Sequence, residues 1–202
     1  FPDIVNRIIL RCDNNKLSSI DVANSRTLTE LSCFNNCLTS LNVLGCTALT
    51  ELDCEINLLT SLDVSNLLEL TKLLCYRNEL KSLNTSGCIA LSKIHLYWES
   101  WNKEENALSY IDISNCMALK EISVHNAQNL VSLNVSGCTS LENLGCSDSK
   151  LTKLDVSGCI SLEGLSCSDS KLTNLDVSGC VNLRTLHCQN NKLTSLSVPS
   201  VN

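Results

Sequence analysis

Residues 154–180 read LDVSGCISLEGLSCSDSKLTNLDVSGC, and the six residues that open this stretch return at its end, 21 residues further on. The same spacing continues in both directions and covers residues 7–202. A repeat of fixed length that fills a chain indicates a solenoid, in which each repeat packs against its two neighbours. The sequence therefore predicts a single domain over residues 1–202, built from about nine 21-residue coils.

Each coil divides into two half-units. The A half-unit reads LxxLxCxxNx, as in LTELSCFNNC from Leu28, and the B half-unit reads LxxLDVSGCxx, as in LTKLDVSGCIS from Leu151. In both, apolar fourth and sixth positions enclose a polar fifth, the period of a short strand with one buried face. A half-unit this short has no room for a long helix. We expect two parallel sheets around a thin core, with coils about 4.8 Å apart.

This pattern resembles the bacterial leucine-rich repeats, in particular the nested 10/11-residue class called IRREKO, over residues 7–202. The resemblance implies a leucine-rich-repeat solenoid that is mostly β, with two short parallel strands per coil. Because the class is related in kind to the internalins, the resemblance also implies a bacterial protein that is secreted or displayed on the cell surface, with a role in adhesion.

Two segments depart from the repeat. In the first ten residues, FPDIVNRIIL, the residues Ile4, Val5, Ile8 and Ile9 share a helical face, so a short N-terminal cap helix is predicted over residues 1–10. Seven extra residues then fall between Leu96 and Leu108. A solenoid accepts insertions where they leave as loops, so we expect an inserted loop over residues 97–107.

Thirteen of the fourteen cysteines fall into two columns. The sixth A position holds Cys12, Cys33, Cys54, Cys75, Cys146, Cys167 and Cys188. The ninth B position holds Cys46, Cys88, Cys116, Cys138, Cys159 and Cys180. Leu96 and Val124 replace cysteine in the first column, and Leu67 and Val201 replace it in the second. Positions shared with Leu and Val are apolar core positions, so most of these thiols are predicted to be buried and free.

Disulfides and zinc are the alternatives for the cysteines. Stacked neighbours keep their Cβ atoms about 4.8 Å apart, whereas a disulfide prefers about 3.8 Å. Zinc needs ligands that converge on one point, and these cysteines are spread along a core. Cys37 fits neither column and is the candidate for an exposed reactive thiol, the alternative being an ordinary turn residue.

Two polar columns follow the strands. The ninth A position holds Asn15, Asn36, Asn57, Asn78 and Asn191, with Ser149 and Ser170 in their place elsewhere, and we expect these side chains to hydrogen-bond turn backbone. The fifth B position alternates Asp and Asn, which is typical of a solvated face. A calcium site at Asp155 and Asp176 is the alternative, although two carboxylates fall short of the six or more oxygen ligands that Ca²⁺ takes.

The outward surface of the A half-units, the A face, varies from coil to coil and is the candidate binding surface. Five of the seven aromatic residues of the chain lie between Tyr76 and Tyr110. Exposed aromatic side chains are typical of binding hot spots. The candidate binding residues are Phe34, Tyr76, Arg77, His95, Tyr97, Trp98, Trp101 and His125. The alternative is that the insertion packs its two tryptophans over the sheet.

The composition excludes several functions. A net charge of −6 gives no electrostatic footprint for nucleic acid, and no apolar run approaches the roughly 18 residues that would insert into a membrane. His95 and His125 have no fixed acid or nucleophile beside them, so we expect no enzyme, no cofactor and no metal. The sequence predicts a monomeric, non-enzymatic binding module for a protein or glycan partner. A structural stalk of a larger surface protein and a carbohydrate-active enzyme are the alternatives.

Overall fold

The computed structural model of this protein describes residues 7–96, 108–125 and 127–200. In these ranges the chain forms eighteen short strands and no helix. The A half-units supply β1 (Ile8–Arg11), β3 (Leu28–Ser32), β5 (Glu51–Asp53), β7 (Lys72–Leu74), β9 (Lys93–His95), β11 (Glu121–Ser123), β13 (Asn143–Gly145), β15 (Gly164–Ser166) and β17 (Thr185–His187). The B half-units supply β2 (Ser19–Asp21), β4 (Ser40–Asn42), β6 (Ser61–Asp63), β8 (Ser82–Asn84), β10 (Tyr110–Asp112), β12 (Ser132–Asn134), β14 (Lys153–Asp155), β16 (Asn174–Asp176) and β18 (Ser195–Ser197). The prediction of two short strands per coil is confirmed.

Strands pair with the equivalent strand of the next coil, always in parallel. The A strands form the sheets β1-β3-β5-β7-β9 and β11-β13-β15-β17, and the B strands form β2-β4, β6-β8-β10-β12-β14 and β16-β18. The register brings repeat-equivalent residues together, so that Leu52 lies beside Leu31 on one side and Leu73 on the other. Each position of the repeat therefore becomes a column along the stack.

The core lies between the A and B strands and runs the length of the solenoid. It consists of the first- and fourth-position leucines and the sixth-position cysteines and valines, of which Leu52, Cys54 and Val64 are at most 1% exposed. Burial falls at the terminal coils, where Leu10, Cys12, Leu186 and Cys188 are only partly buried. The apolar period of the sequence thus defines one continuous core.

The eighth position of almost every half-unit adopts the left-handed backbone conformation. In the A turns φ lies between 51° and 56° at Asn14, Asn35, Ile56, Arg77, Asp148, Asp169 and Asn190. In the B turns φ lies between 58° and 77° at Asn24, Gly45, Asn66, Gly87, Asn115, Gly137 and Gly158. Asn and Gly tolerate this conformation best, which explains their recurrence there. Ile56 is the β-branched exception and is a strained position.

The insertion coincides with an interruption of the A sheet. Among the described residues, β9 and β11 do not pair, whereas β8 and β10 of the same coils remain in register. The inserted loop predicted over residues 97–107 itself lies outside the described residues. The extra length is therefore absorbed on the A side, while the B strands before and after it stay paired.

The predicted N-terminal cap helix is contradicted at Ile8 and Ile9. These residues lie in β1, which pairs with β3, and the Ile8 amide donates to the Thr27 carbonyl at 2.9 Å. The open edge of the next coil offers backbone partners to an extended segment, and this pairing prevails over the helical period. Ile4 and Val5 lie outside the described residues.

Candidate functional site

The asparagine column at the ninth A position joins neighbouring coils through their backbone. The Asn57 Nδ2 atom donates to the carbonyls of Cys33, Cys54 and Glu55 at 3.0–3.2 Å, and its Oδ1 atom accepts from the Leu38 amide at 2.9 Å. Asn36, Asn78 and Asn191 repeat this set. In the described ranges Asn15 donates only within its own turn. The predicted structural role is confirmed.

Two serines occupy this column in the C-terminal half. The hydroxyls of Ser149 and Ser170 bond to each other at 2.8 Å, and Ser170 also donates to the carbonyl of Ser168. The shorter side chain cannot reach the backbone of the neighbouring coil as asparagine does. A hydroxyl pair therefore replaces the asparagine bridge between these two coils.

The Asp and Asn side chains at the fifth B position are turn caps. The Oδ1 atom of Asp63 accepts the Ser65 amide at 2.9 Å, and the same bond, two residues along the chain, recurs from Asp21 to Asp176. The Ser178 hydroxyl and amide both donate to Asp176 and lower the pKa of this carboxyl. The solvated-face interpretation is thus incomplete, because one carboxylate oxygen per coil is committed to the backbone. Among the described residues no group of three or more His, Cys, Asp or Glu side chains converges as for a metal ion.

This capping role predicts a difference between two substitutions of Asp63. Asp63→Asn keeps an Oδ1 acceptor, as Asn42 and Asn84 do in the adjacent coils, and should leave the free energy of unfolding nearly unchanged. Asp63→Ala removes the acceptor and should cost about 1 kcal/mol, the net value of one hydrogen bond. Urea denaturation would measure both. Equal losses for the two variants would show that the carboxylate charge matters and the cap does not.

Ion pairs join neighbouring coils along the A face, on the strands in the N-terminal half and just before the strands in the C-terminal half. Arg11 pairs with Glu30 at 3.4 Å and Lys72 pairs with Glu51 at 3.1 Å. The pairs Lys120–Glu142 and Arg184–Glu163 follow in the C-terminal half, at 3.0 and 3.6 Å. All are solvent-exposed, so each adds little to stability. In each half of the solenoid, two glutamates on successive coils therefore lie between two basic side chains along the A face.

Two of the predicted aromatic binding residues, Phe34 and Tyr76, lie in the turns that follow the A strands. Phe34 and Tyr76 both occupy the seventh A position and are half-buried, with Glu55 at the equivalent position of the coil between them. The Arg77 guanidinium lies 5.4 Å from the centre of the Tyr76 ring, within the range of a cation–π contact. Of the predicted binding residues, the described structure brings this pair into direct contact.

His125 occupies the same seventh position beyond the insertion. Its Nδ1 atom accepts the Ser147 amide at 3.2 Å, and its ring lies over Gly145, where a Cβ atom would come within 2.3 Å of Nε2. His125 and His187 both line a shallow polar depression of about 250 Å³. The repeat gave no indication that Gly145 makes room for the imidazole. His95 lies in β9, and Tyr97, Trp98 and Trp101 lie outside the described residues.

A larger cleft lies where the A sheet is interrupted. It has a volume of about 420 Å³ and is lined by Ser92, Lys93, Ile94 and Leu96 on one side and by Lys120, Glu121, Ile122 and Ser123 on the other. It separates Tyr76 and Arg77 from His125 along the A face. The cleft adjoins the insertion, where the aromatic residues of the sequence are concentrated.

The cysteine columns are buried as predicted. Eleven cysteines are buried, Cys12 and Cys188 at the terminal coils are partly buried, Cys37 is exposed, and all fourteen are free. Burial raises the pKa of Cys33 to about 12 and that of Cys116 to about 11. Several thiols also donate to a backbone carbonyl of a neighbouring coil, as Cys88 does to Val64 at 3.0 Å. These thiols are protonated core groups.

The sequence interpretation missed one surface feature. The tenth B position holds exposed apolar side chains at Leu68, Ile89, Met117, Ile160 and Val181. The repeat contains the signal, because the tenth B position is apolar in five of the six coils from Leu68 to Val181. The alternation of apolar and polar residues predicts which strand residues are buried, but it makes no prediction for residues in the turns.

The chain is similar to solved structures of three bacterial proteins. The functional domain of InlJ from Listeria monocytogenes, described as including a cysteine ladder, is 31% identical over 90% of this chain, with a TM-score of 0.51. A leucine-rich-repeat protein of Leptospira interrogans is 24% identical over 91% of the chain, with a TM-score of 0.43. YopM from Yersinia enterocolitica is 23% identical over 94%, with a TM-score of 0.44.

This chain spans 34%, 61% and 43% of the lengths of these three structures, in the same order. No family model matches its sequence, and no curated protein sequence matches it either. The described residues contain no helix long and apolar enough to cross a bilayer.

Proposed function

The chain is a leucine-rich-repeat solenoid of the internalin-like class, and from this premise we propose that it is a non-enzymatic binding module whose A face recognises a protein or glycan partner. The observation that carries the proposal is that the B face repeats the same side-chain role in each coil, whereas the A face does not. On the B face, one Asp or Asn in each coil from Asp21 to Asp176 is bonded to its own turn. On the A face, charged and aromatic side chains change from coil to coil.

The partner docks around the interruption of the A sheet. Tyr76 and Arg77 precede the 420 Å³ cleft along the stack of coils and His125 follows it, although none of the three lines it. Half-buried aromatic rings with an adjacent guanidinium are the residue types that dominate binding energy in protein interfaces. Phe34 extends this surface toward the N-terminus. His95, Tyr97, Trp98 and Trp101 belong to it by their place in the sequence.

A surface location accompanies this proposal. The resemblance to internalins favours export and a role in adhesion, with an unidentified protein or glycan outside the bacterium as the partner. If the chain were a stalk, its A face would bind nothing, and the binding experiment below distinguishes the two functions.

We predict that Tyr76→Ala weakens binding of any partner found in a screen of extracellular proteins and glycans by more than about 1 kcal/mol, or roughly fivefold in Kd. Trp98→Ala and Trp101→Ala should do the same. Lys153→Ala on the B face is the matched control and should leave affinity unchanged. Surface plasmon resonance and thermal melting would be run on all variants.

Two results would contradict the proposal. The first is unchanged affinity in all three aromatic variants together with a large fall in melting temperature, which would place these rings in the core. The second is a loss of affinity in Lys153→Ala alone, which would move the binding surface to the B face.

A further inference from the structure

The turn that closes each B half-unit exposes its two central residues. The Leu91 amide donates to the Cys88 carbonyl at 3.0 Å, and the Leu162 amide donates to the Cys159 carbonyl at 3.1 Å. All four of these residues are buried. The turn is therefore anchored at both ends in the core, and the tenth and eleventh positions between the anchors face outward. A side chain at the tenth position is exposed or half-buried whatever its chemistry.

Six consecutive coils place a row of mostly apolar side chains at this position. The row consists of Leu68, Ile89, Met117, Thr139, Ile160 and Val181, which we name the turn ridge. Its five apolar members are 44–70% exposed. At about 4.8 Å per coil the ridge is about 24 Å long. It presents roughly 500 Å² of apolar surface, the size of the largest patch on a typical monomer, and such patches mark interaction sites.

The turns that carry the ridge bear little charge: Glu69 follows Leu68, and the other five turns contain no charged residue. From Ser86 onward, the seventh to eleventh B positions of five successive coils read SGCIA, SNCMA, SGCTS, SGCIS and SGCVN, with no charged residue among them. Most of the charges of the chain lie on the strands and the A turns. In the five turns from Ile89 to Val181, a partner selected by electrostatic complementarity would find no charged group. Uncharged turns also do not repel a molecule of the same net charge.

We propose that the turn ridge is the interface of an antiparallel homodimer. A row of side chains with a fixed coil spacing interdigitates best with a row of the same spacing, and a second copy of this solenoid supplies one. A two-fold axis between Met117 and Thr139 pairs Leu68 with Val181 and Ile89 with Ile160, so bulky residues meet aliphatic partners along most of the row. Such an interface is self-complementary, as two-fold symmetry requires.

The size of the ridge sets the strength of the dimer. Two copies bury roughly 1,000 Å² in total, which is at the lower end for a specific interface, so the dimer is reversible. This inference replaces the monomer expected from the sequence. It is independent of the proposed function, because the ridge lies in the B turns and includes none of the proposed binding residues. A dimer would present two A faces to a partner.

Sedimentation over about a hundredfold range of concentration tests the interface, because dimerisation depends on mass action. The wild type should change from monomer to dimer. Ile89→Lys alone and Ile160→Glu alone should each remain monomeric. The double variant should dimerise again, because the ammonium introduced at position 89 would face the carboxylate introduced at position 160 of the other copy. Folding should be unaffected, since Arg26 and Thr47 already occupy this position in the first two coils.

Leu44→Lys is the matched control, because Leu44 is 50% exposed but lies outside the ridge. It should dimerise like the wild type. A wild type that stays monomeric at every concentration would overturn the proposal. Dimerisation that survives Ile89→Lys, or that Leu44→Lys abolishes, would place the interface elsewhere and overturn it equally. Failure of the double variant to recover would exclude the antiparallel arrangement.

Discussion

Asn57→Ala should lower the free energy of unfolding by about 3 kcal/mol, since it removes four hydrogen bonds that are each worth about 0.5–1.5 kcal/mol. The side chain is 5% exposed, so water cannot replace these bonds. The Leu38 amide and the Cys33 carbonyl would be left without this partner inside the stack. Urea denaturation followed by circular dichroism would measure the loss.

Asn15→Ala is the matched control for this prediction. Asn15 occupies the same column but is exposed, and it makes two hydrogen bonds within its own turn. Its replacement should cost less than about 1 kcal/mol. Asn57→Asp should cost at least as much as Asn57→Ala, because it places an acceptor oxygen where three carbonyls converge. Similar losses for Asn57→Ala and Asn15→Ala would show that the link between coils adds nothing.

The second large effect concerns the thiols. In the native protein one thiol, Cys37, should react rapidly with a disulfide reagent, and Cys12 and Cys188 should react more slowly because they are half-buried. The eleven buried thiols should react at least about a thousandfold more slowly than Cys37, because the chain must open before the reagent can reach them. Denatured, unreduced protein should then titrate close to fourteen thiols.

Cys37→Ser is the control for the rapid phase, which it should remove while leaving the other phases in place. A denatured, unreduced protein with few reactive thiols would reveal disulfides and reject the core interpretation of the cysteine columns. A rapid phase that persists in Cys37→Ser would show that one of the columns is open to solvent.

The raised thiol pKa values also predict sensitivity to alkali. In the unfolded chain a thiol ionises near its ordinary pKa of 9.0, whereas burial holds the pKa of Cys33 and Cys159 at about 12. Above pH 9 the unfolded state therefore releases protons that the native state retains. Stability is fully present below pH 9 and should decline between pH 9 and about 12. Chemical denaturation at several pH values would record this decline.

The sequence alone determined the architecture. The 21-residue period, the apolar fourth and sixth positions and the lengths of the half-units allow only short parallel strands in a stack. Leu96 and Val124 occupy the sixth A position, where Cys54 stands in its own coil, and this replacement was enough to place the thiols in the core. The recurrence of Asn at the ninth A position was enough to assign it to the turns. These properties follow from repetition, because a residue type that recurs in phase must meet the same environment in every coil.

Only the tertiary structure decided which residues contact one another between neighbouring coils and within the turns. Ile8 and Ile9 have a helical period, yet they form a strand because the edge of β3 offers backbone partners. Asp63 looks solvated in sequence but caps its own turn, and Gly145 makes room for the ring of His125 from the preceding coil. The exposure of Ile89 follows from the two buried anchors of its turn. Each of these outcomes depends on which atoms meet across coils or around a turn, and this geometry is set by the backbone path, which the hydrophobic period does not specify.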